Sequence, residues 1–584
     1  MDPKIIIIGG GLSGLMSAIK ICEKGQSVAI FSVVPVKRSH SVCAQGGINA
    51  ALNTKGEGDS VEQHIFDTTY GGDFLGNQDA IKELCEAAPG IASMYDRMGV
   101  MFNRTPEGRI DLRLFGGVRH RRTLFSGGTT GQQLMYALDE QVRKFESLGL
   151  VKKFENWEFL SLVKDGDGLC RGITAMDLNT MEVRAFSADA VIMCTGGFGQ
   201  LYGCATNSTH CNGSAASACY QQGAFLANPE FVQFHPTAIQ GEDKRRLISE
   251  AVRGEGGRVW TYRDGKPWYF LEEWYPAYGN TVPRDVASRA IWKVVKEMGL
   301  GVEGQEAVYL DVTHIDPEIL RVRLEGVLEI YQKFVGDDPT KVPMKVFPAV
   351  HYSMGGLYVD LDHMTNVPGL FAAGECDYQY HGANRLGANS LLSATFSGLK
   401  AGPSAMKYVK GLKKSCDALP ASLFDDELQR QKEINSGLMS RDGGENPHLL
   451  KNELANLMMQ DVMVLRYNKQ LEEGAKKIVE LTERFKKVSP LDSGSWANDE
   501  LPFMRQLYNQ LIFARAIILA ALKRDESRGA HYKPEFPNRD DANWMKTTKV
   551  RFAGEKEPAL EYEPVEPKYI KPIVRRYDVA PAGK

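Results

Sequence analysis

The stretch "KIIIIGGGLSGLMSAIKICEKGQSVAIFS" at 4–32 constrains the fold more than any other part of the chain. A β-branched run at 5–8, a glycine turn, a helical stretch and a second apolar run at 28–31 predict strand, turn, helix and strand. Gly9, Gly11 and Gly14 have the G-x-G-x-x-G spacing. That spacing allows a tight turn, close backbone approach to a pyrophosphate and close helix–strand packing, with the helix N-terminus facing the phosphates. A dinucleotide-binding unit is therefore expected here. The ribose-binding acid expected about 20 residues after the turn is absent, and Ser32 stands in its place.

Two later apolar runs end in the same way. "DAVIMCTGGFGQLY" at 189–202 and "VPGLFAAGECDYQYHGANRLGANSLLSATFSGLKAG" at 367–402 each predict a strand feeding a glycine-rich turn, and the second continues into a small-residue helix from Asn389. Between them, 233–351 is rich in Trp, Tyr and Arg and interrupts the nucleotide fold as a capping segment. From 425 the pattern becomes charged and helical, and 533–584 carries many Pro and Lys with little periodicity, as expected of an extended tail. No internal repeat is present. The expected architecture is α/β: a Rossmann-like domain in two parts, 1–232 and 352–424, an α+β cap at 233–351, a helical domain at 425–532 and a tail at 533–584.

Composition narrows the partners. A length of 584 residues implies roughly three or four domains. The net charge of -3 gives no global attraction to nucleic acid or anionic lipid, so local cations must hold any anionic ligand. The apolar stretch "LIFARAIILAAL" is short and interrupted by Arg515, and nothing at the N-terminus reads as a signal peptide, so a soluble cytoplasmic chain is expected. The ten cysteines contain no C-x-x-C, which argues against iron–sulfur or zinc ligation within this chain, and no metal site is expected.

Seven stretches carry a resemblance: "RSHSVCAQGG", "QFHPT", "SEAVRGEGG", "PRDVASRA", "HYSMGG", "HGANRLGANSLL" and "ESRGAHYKPEFPNRDDANW". In this order the chain resembles the flavoprotein subunits of succinate dehydrogenase and fumarate reductase, most of all the menaquinone-linked type of Gram-positive bacteria. The resemblance covers residues 4 to about 545. The chain departs from the broader family at Ser32 and at "CNGSAAS", 211–217, where many relatives have a Gly-Asp pair.

The resemblance implies FAD bound covalently through His40. The cofactor contacts expected with it are Gly9, Gly11, Gly14, Ser32, Gln45, Gly46, Gly47, Gly196, Glu375, Asn389 and Ser390. Pairing the two carboxylates of a dicarboxylate away from water needs fixed donors, and a guanidinium fork does this better than a lysine. The resemblance gives that role to Arg385, with His235 and His351 as further donors, Phe115 as the apolar residue over the substrate and Ser249 as a small hydroxyl. It gives proton transfer to Arg284, relayed by Glu250 and Arg253. A guanidinium ordinarily stays protonated, so His235 or His351 stays open as the alternative base.

The partners implied are an iron–sulfur subunit and a cytochrome b-type membrane anchor that reaches menaquinone. These would place the chain on the cytoplasmic side of the cell membrane, with the tail, including Arg539, Asp540, Asp541, Asn543 and Trp544, over a subunit contact. Two alternatives share much of the motif set. One is an L-aspartate oxidase, against which His40 argues, and the other a soluble fumarate reductase, for which a C-x-x-C-H haem motif is missing.

Overall fold

A computed structural model describes residues 4–241, 244–555 and 557–578. In chain order, the elements that build the site begin with strand β1 (Ile5–Ile8), helix α1 (Leu12–Cys22) and strand β2 (Val28–Ser32). Strands β3 (Val151–Glu155), β4 (Trp157–Lys164), β5 (Ala190–Met193) and β6 (Val232–Ile239) follow. Helix α2 (Arg284–Trp292), strands β7 (Met344–Ser353) and β8 (Leu370–Ala372) and helix α3 (Asn389–Gly411) come next. Helices α4 (Pro447–Asp461), α5 (Asn468–Phe485) and α6 (Glu500–Lys523) precede strands β9 (Lys546–Arg551) and β10 (Ala559–Pro564).

The nucleotide-binding sheet is parallel, in the order β8-β5-β1-β2-β3. Its central strands are almost wholly apolar and buried, as in a parallel sheet covered on both faces. The first glycine-rich turn leaves β1 for α1, and the third leaves β8 for α3. The expected strand–turn–helix order is present at both places.

A second sheet has six antiparallel strands. Its centre is β6 paired with β7, with His235 opposite Ala349. Strand β6 is buried along its whole length and packs against α2, so Arg284, the first residue of α2, starts at the junction of cap and sheet. Helices α4, α5 and α6 form the helical region, and α6 packs its apolar residues into the core shared with the nucleotide fold.

The tail differs from the sequence expectation of little regular structure. Strands β9 and β10 form an antiparallel hairpin that adds to residues 226–227 of the nucleotide-binding part. The pattern was hard to read because Lys, Thr and Glu alternate there on a half-exposed edge. Residues beyond the hairpin return across the chain's own surface. Arg575 bridges Asp285 on α2 (3.0 Å) and Asp73 of the nucleotide-binding part (3.4 Å), and Asp73 also takes Arg539 at 2.8 Å. Tyr577 is buried between Tyr70 and Tyr278. The end of the chain is thus a strap joining cap to nucleotide fold.

Burial alone would raise the carboxyls of Asp73 and Asp285, but Arg575 and neighbouring arginines outweigh it and hold both below the usual range. Their stabilising effect is therefore present above an ordinary aspartate pKa of about 3.9 and is lost as pH falls below it. Arg575→Ala is expected to cost up to about 3–5 kcal/mol at pH 7, because it removes the cation that both buried carboxylates share and leaves Asp73 to Arg539 and Asp285 to Arg289. The gap to wild type should narrow as pH falls below about 4, through the lowered range in which those carboxylates take up protons. Urea unfolding of both proteins across that range checks it, and a gap independent of pH would contradict the assignment.

Candidate active site

A cavity of about 490 Å³ runs between the nucleotide fold, the cap and the helical region. The turn after β1 lines its middle through Gly9 and Gly11. Gly9 has φ +109°, and a Cβ there would overlap the Cys194 carbonyl. A Cβ on Gly14 would overlap the Gly9 carbonyl, so Gly14 closes the helix onto the turn without reaching the cavity. A Cβ on Gly11 would meet only Ser41 Oγ, at 3.3 Å. That leaves the cavity side open, as close approach of a pyrophosphate requires.

The loop 39–47 forms the next wall. His40 Nδ1 accepts from the Ser208 amide at 3.2 Å, and its Nε2 lies 3.4 Å from Asn207 Nδ2. Burial, with Lys244 and His210 nearby, lowers its pKa to about 4, so the imidazole is neutral. Gln45, Gly46 and Gly47 also line the cavity, and a Cβ on Gly46 would sit 2.8 Å from the Phe115 ring. Arg113 holds this loop from behind by donating to the carbonyls of Gln45 (3.1 Å) and Gly46. Gly196, Ser390 and Glu375 line the cavity too, and burial pushes the Glu375 carboxyl up to about 7.

Opposite this loop stand the cations. Arg284 Nε donates to Glu250 Oε2 at 2.9 Å, and Arg253 Nη2 donates to Glu250 Oε1 at 2.8 Å. Burial alone would raise the Glu250 carboxyl, yet Arg284 and Arg253 outweigh it and keep it ionised. Arg385 is 2% exposed, lies 4.4 Å over the Tyr352 ring, and its Nε has no partner within the chain. Burial, then Arg284, lowers its pKa to about 9, which still leaves it charged at neutral pH. His235 and His351 face each other from β6 and β7 with ring centroids 4.9 Å apart. Burial and Arg284 hold both well below 6.5, and His235 Nε2 is unpartnered. Phe115 and Ser249 line the same end. Three guanidiniums, one carboxylate and two neutral histidines leave two positive charges without a protein counter-ion in this group.

Besides Gly14, two expected residues stand apart from the cavity. Asn389 is fully buried, with its side chain bonded to Asn49, His64 and Thr68. Its place at the start of α3 suggested a ring contact, but the side chain turns away and Ser390 faces inward. Arg253 lies behind Glu250 rather than on the wall. Ser32 lines the wall at the end of β2.

Sequence reasoning missed Gln233 and Thr206. Gln233 accepts from Arg284 Nη1 at 3.0 Å and donates to the Arg385 carbonyl at 2.7 Å. It stands two residues before His235 on β6, so strand periodicity could have found it. Thr206 Oγ1 orients His351 through Nδ1 at 2.7 Å, and nothing in its loop marks it in the sequence.

A parallel sheet with a phosphate-binding turn, opening into a buried cationic pocket under a cap, defines an FAD-dependent oxidoreductase acting on an anion. The FAD binding domain family matches residues 4–391, and the family described as fumarate reductase flavoprotein C-term matches 451–577. The succinate dehydrogenase flavoprotein subunit of Bacillus subtilis is 58% identical over 99% of both chains. An E. coli quinol fumarate reductase chain superposes with TM-score 0.93 at 30% identity over 99% of both chains. A quinol-fumarate reductase solved with menaquinol superposes with TM-score 0.91 at 31% identity, over 98% of this chain and 100% of that one. The chain belongs to the flavoprotein subunits of succinate dehydrogenase and fumarate reductase. This supports the first of the sequence readings over the L-aspartate oxidase and soluble reductase alternatives.

The two glycines should separate in their effects. Gly14→Ala is expected to lose both flavin and thermal stability, since its Cβ overlaps backbone. Gly11→Ala should keep a native melting curve and lose flavin. Flavin absorbance of the purified variants and circular dichroism melts check this, and a fully flavinated Gly11→Ala would contradict it.

Proposed function

We propose that the cationic end of the cavity binds succinate or fumarate beside an FAD tethered through His40, and that the electrons leave through an iron–sulfur subunit. The observation that carries the substrate assignment is the charge count. Two buried positive charges match the two negative charges of a dicarboxylate, and hydrogen bonds between ionised partners are short and strong in such a site. Bound FAD supplies the two-electron acceptor or donor. The residues that fit it are the glycines of the first turn at its phosphates and the loop 40–47, with Glu375 and Ser390, around its ring.

Arg385 takes one carboxylate through its free Nε–H, and neutral His235 and His351 take part in holding the other. Phe115 covers the chain between the carboxylates and Ser249 adds a hydroxyl. Arg284 carries the proton exchanged with the substrate carbon, and Glu250, 2.9 Å away, passes it on to Arg253. What supports Arg284 over the histidines is that burial and neighbouring cations hold both imidazoles neutral and weakly basic. His40 suits the tether because its imidazole is neutral and turned into the cavity wall.

Among the described residues no helix is long and apolar enough to cross a membrane. We place the chain on the cytoplasmic face of the cell membrane, held there by the iron–sulfur subunit and a cytochrome b-type anchor that exchanges electrons with menaquinone. In the tail, strands β9 and β10 and the side chains of Arg575 and Tyr577 contact their own chain.

Arg385→Ala is expected to weaken succinate, fumarate and malonate alike by one to two orders of magnitude, from about 1.5–3 kcal/mol for a hydrogen bond to a charged group. Arg284→Ala should lower turnover by about 10²-fold or more while malonate binding changes far less. Calorimetry with malonate and steady-state dye reduction separate the two, and near-wild-type turnover of Arg284→Ala would pass the proton role to a histidine. His40→Ser should bind FAD yet show no fluorescent band on a denaturing gel, where the wild-type chain does. A fluorescent band from His40→Ser would overturn the tether.

A further inference from the structure

The far end of the cavity lacks the acids expected of it. Ser32 ends β2 where such folds place a carboxylate for the adenosine ribose, and 211–217 contains no acid. A carboxylate reaches this end from another element. Glu158, on β4, is 6% exposed and lines the cavity together with Ser32, Asn212 and Gln506. Its Oε1 accepts from Gln506 Nε2 at 2.8 Å, and Gln506 Oε1 accepts from Asn212 Nδ2 at 2.9 Å. This relay fixes the orientation of both amides and leaves Glu158 Oε2 buried with no hydrogen bond inside the chain. Burial also pushes the Glu158 carboxyl up to about 7. A buried polar oxygen on a cavity wall calls for a donor, and here the donor must come from what the cavity holds.

We propose that Glu158, oriented by Gln506, accepts a hydrogen bond from the adenosine half of FAD, replacing the ribose acid absent at Ser32. The proposal rests on the FAD assignment above. The donor is either a ribose hydroxyl or the exocyclic amine of adenine, which share the chemistry that Oε2 lacks. Glu158 touches the ligand, while Gln506 is a positioning residue on α6. The helical region would therefore take part in choosing a dinucleotide over a mononucleotide.

The test uses the full chain carrying His40→Ser, so that flavin exchange is reversible, and reads affinity by flavin fluorescence. Glu158→Leu is expected to weaken FAD at least tenfold and to leave FMN, which has no adenosine, within twofold. Glu158→Gln, which keeps an oxygen acceptor, should recover most of the loss. Gln506→Leu gives a smaller loss with the same FAD-only pattern, and supplies the answer if Glu158→Leu fails to fold by circular dichroism. FAD analogues lacking the 2′-hydroxyl or the adenine amine identify the donor, as the one that loses nothing further on Glu158→Leu. Unchanged FAD affinity, or equal losses for FAD and FMN, overturns the subsite. A parent chain that binds neither flavin would instead overturn the cofactor assignment beneath it.

Discussion

One carboxylate among three buried guanidiniums governs the catalytic half of this molecule. Glu250 bonds to Arg284 and Arg253 and leaves Arg385 with an aromatic face and the Leu386 carbonyl but no bonded carboxylate. In a low-dielectric interior, like charges this close repel unless an anion joins them. The pocket is therefore incomplete without its ligand. Arg284 and Glu250 come from the segment 233–351 and Arg385 from the chain after it, so an anion that completed the charge balance would bridge the two.

The neighbouring histidines gain their character from the same charges. His235 and His351 sit on paired antiparallel strands, which fixes their rings face to edge, and burial, then the adjacent guanidiniums, deny both a proton. They can orient a carboxylate without adding a charge that the pocket could not balance. Arg113 does comparable work on the flavin side, because its fork ties the carbonyls of Gln45 and Gly46 into a fixed loop under Phe115.

Much of this was legible before any coordinates. A β-branched run followed by spaced glycines has few alternatives to a strand, a tight turn and a helix, and the motif residues Arg284, Arg385, His235, His351 and His40 line one cavity. What stayed hidden depends on contacts far apart in sequence. Nothing local to Asn389 tells that Asn49, His64 and Thr68 will claim its amide. Nothing in "ENWEF" tells that Glu158 will meet Gln506 across 348 positions. The tail misled for a different reason. Its strands pair at an edge where one side faces water, so polar residues alternate without the apolar signal that marks a buried strand.

The strap at the end of the chain has a consequence in time as well as in space. Asp285, next to Arg284 on α2, meets Arg575 across 290 positions. At typical synthesis rates of about 5–20 residues per second, the ribosome needs roughly 15–60 s to make the second partner after the first. Throughout that interval Asp73 and Asp285 lack the cation they share, and Asp285 has only Arg289 on its own helix as an ion-pair partner. Until Arg575 is made, the ion pairs through which the tail ties α2 to Asp73 are missing from the growing chain.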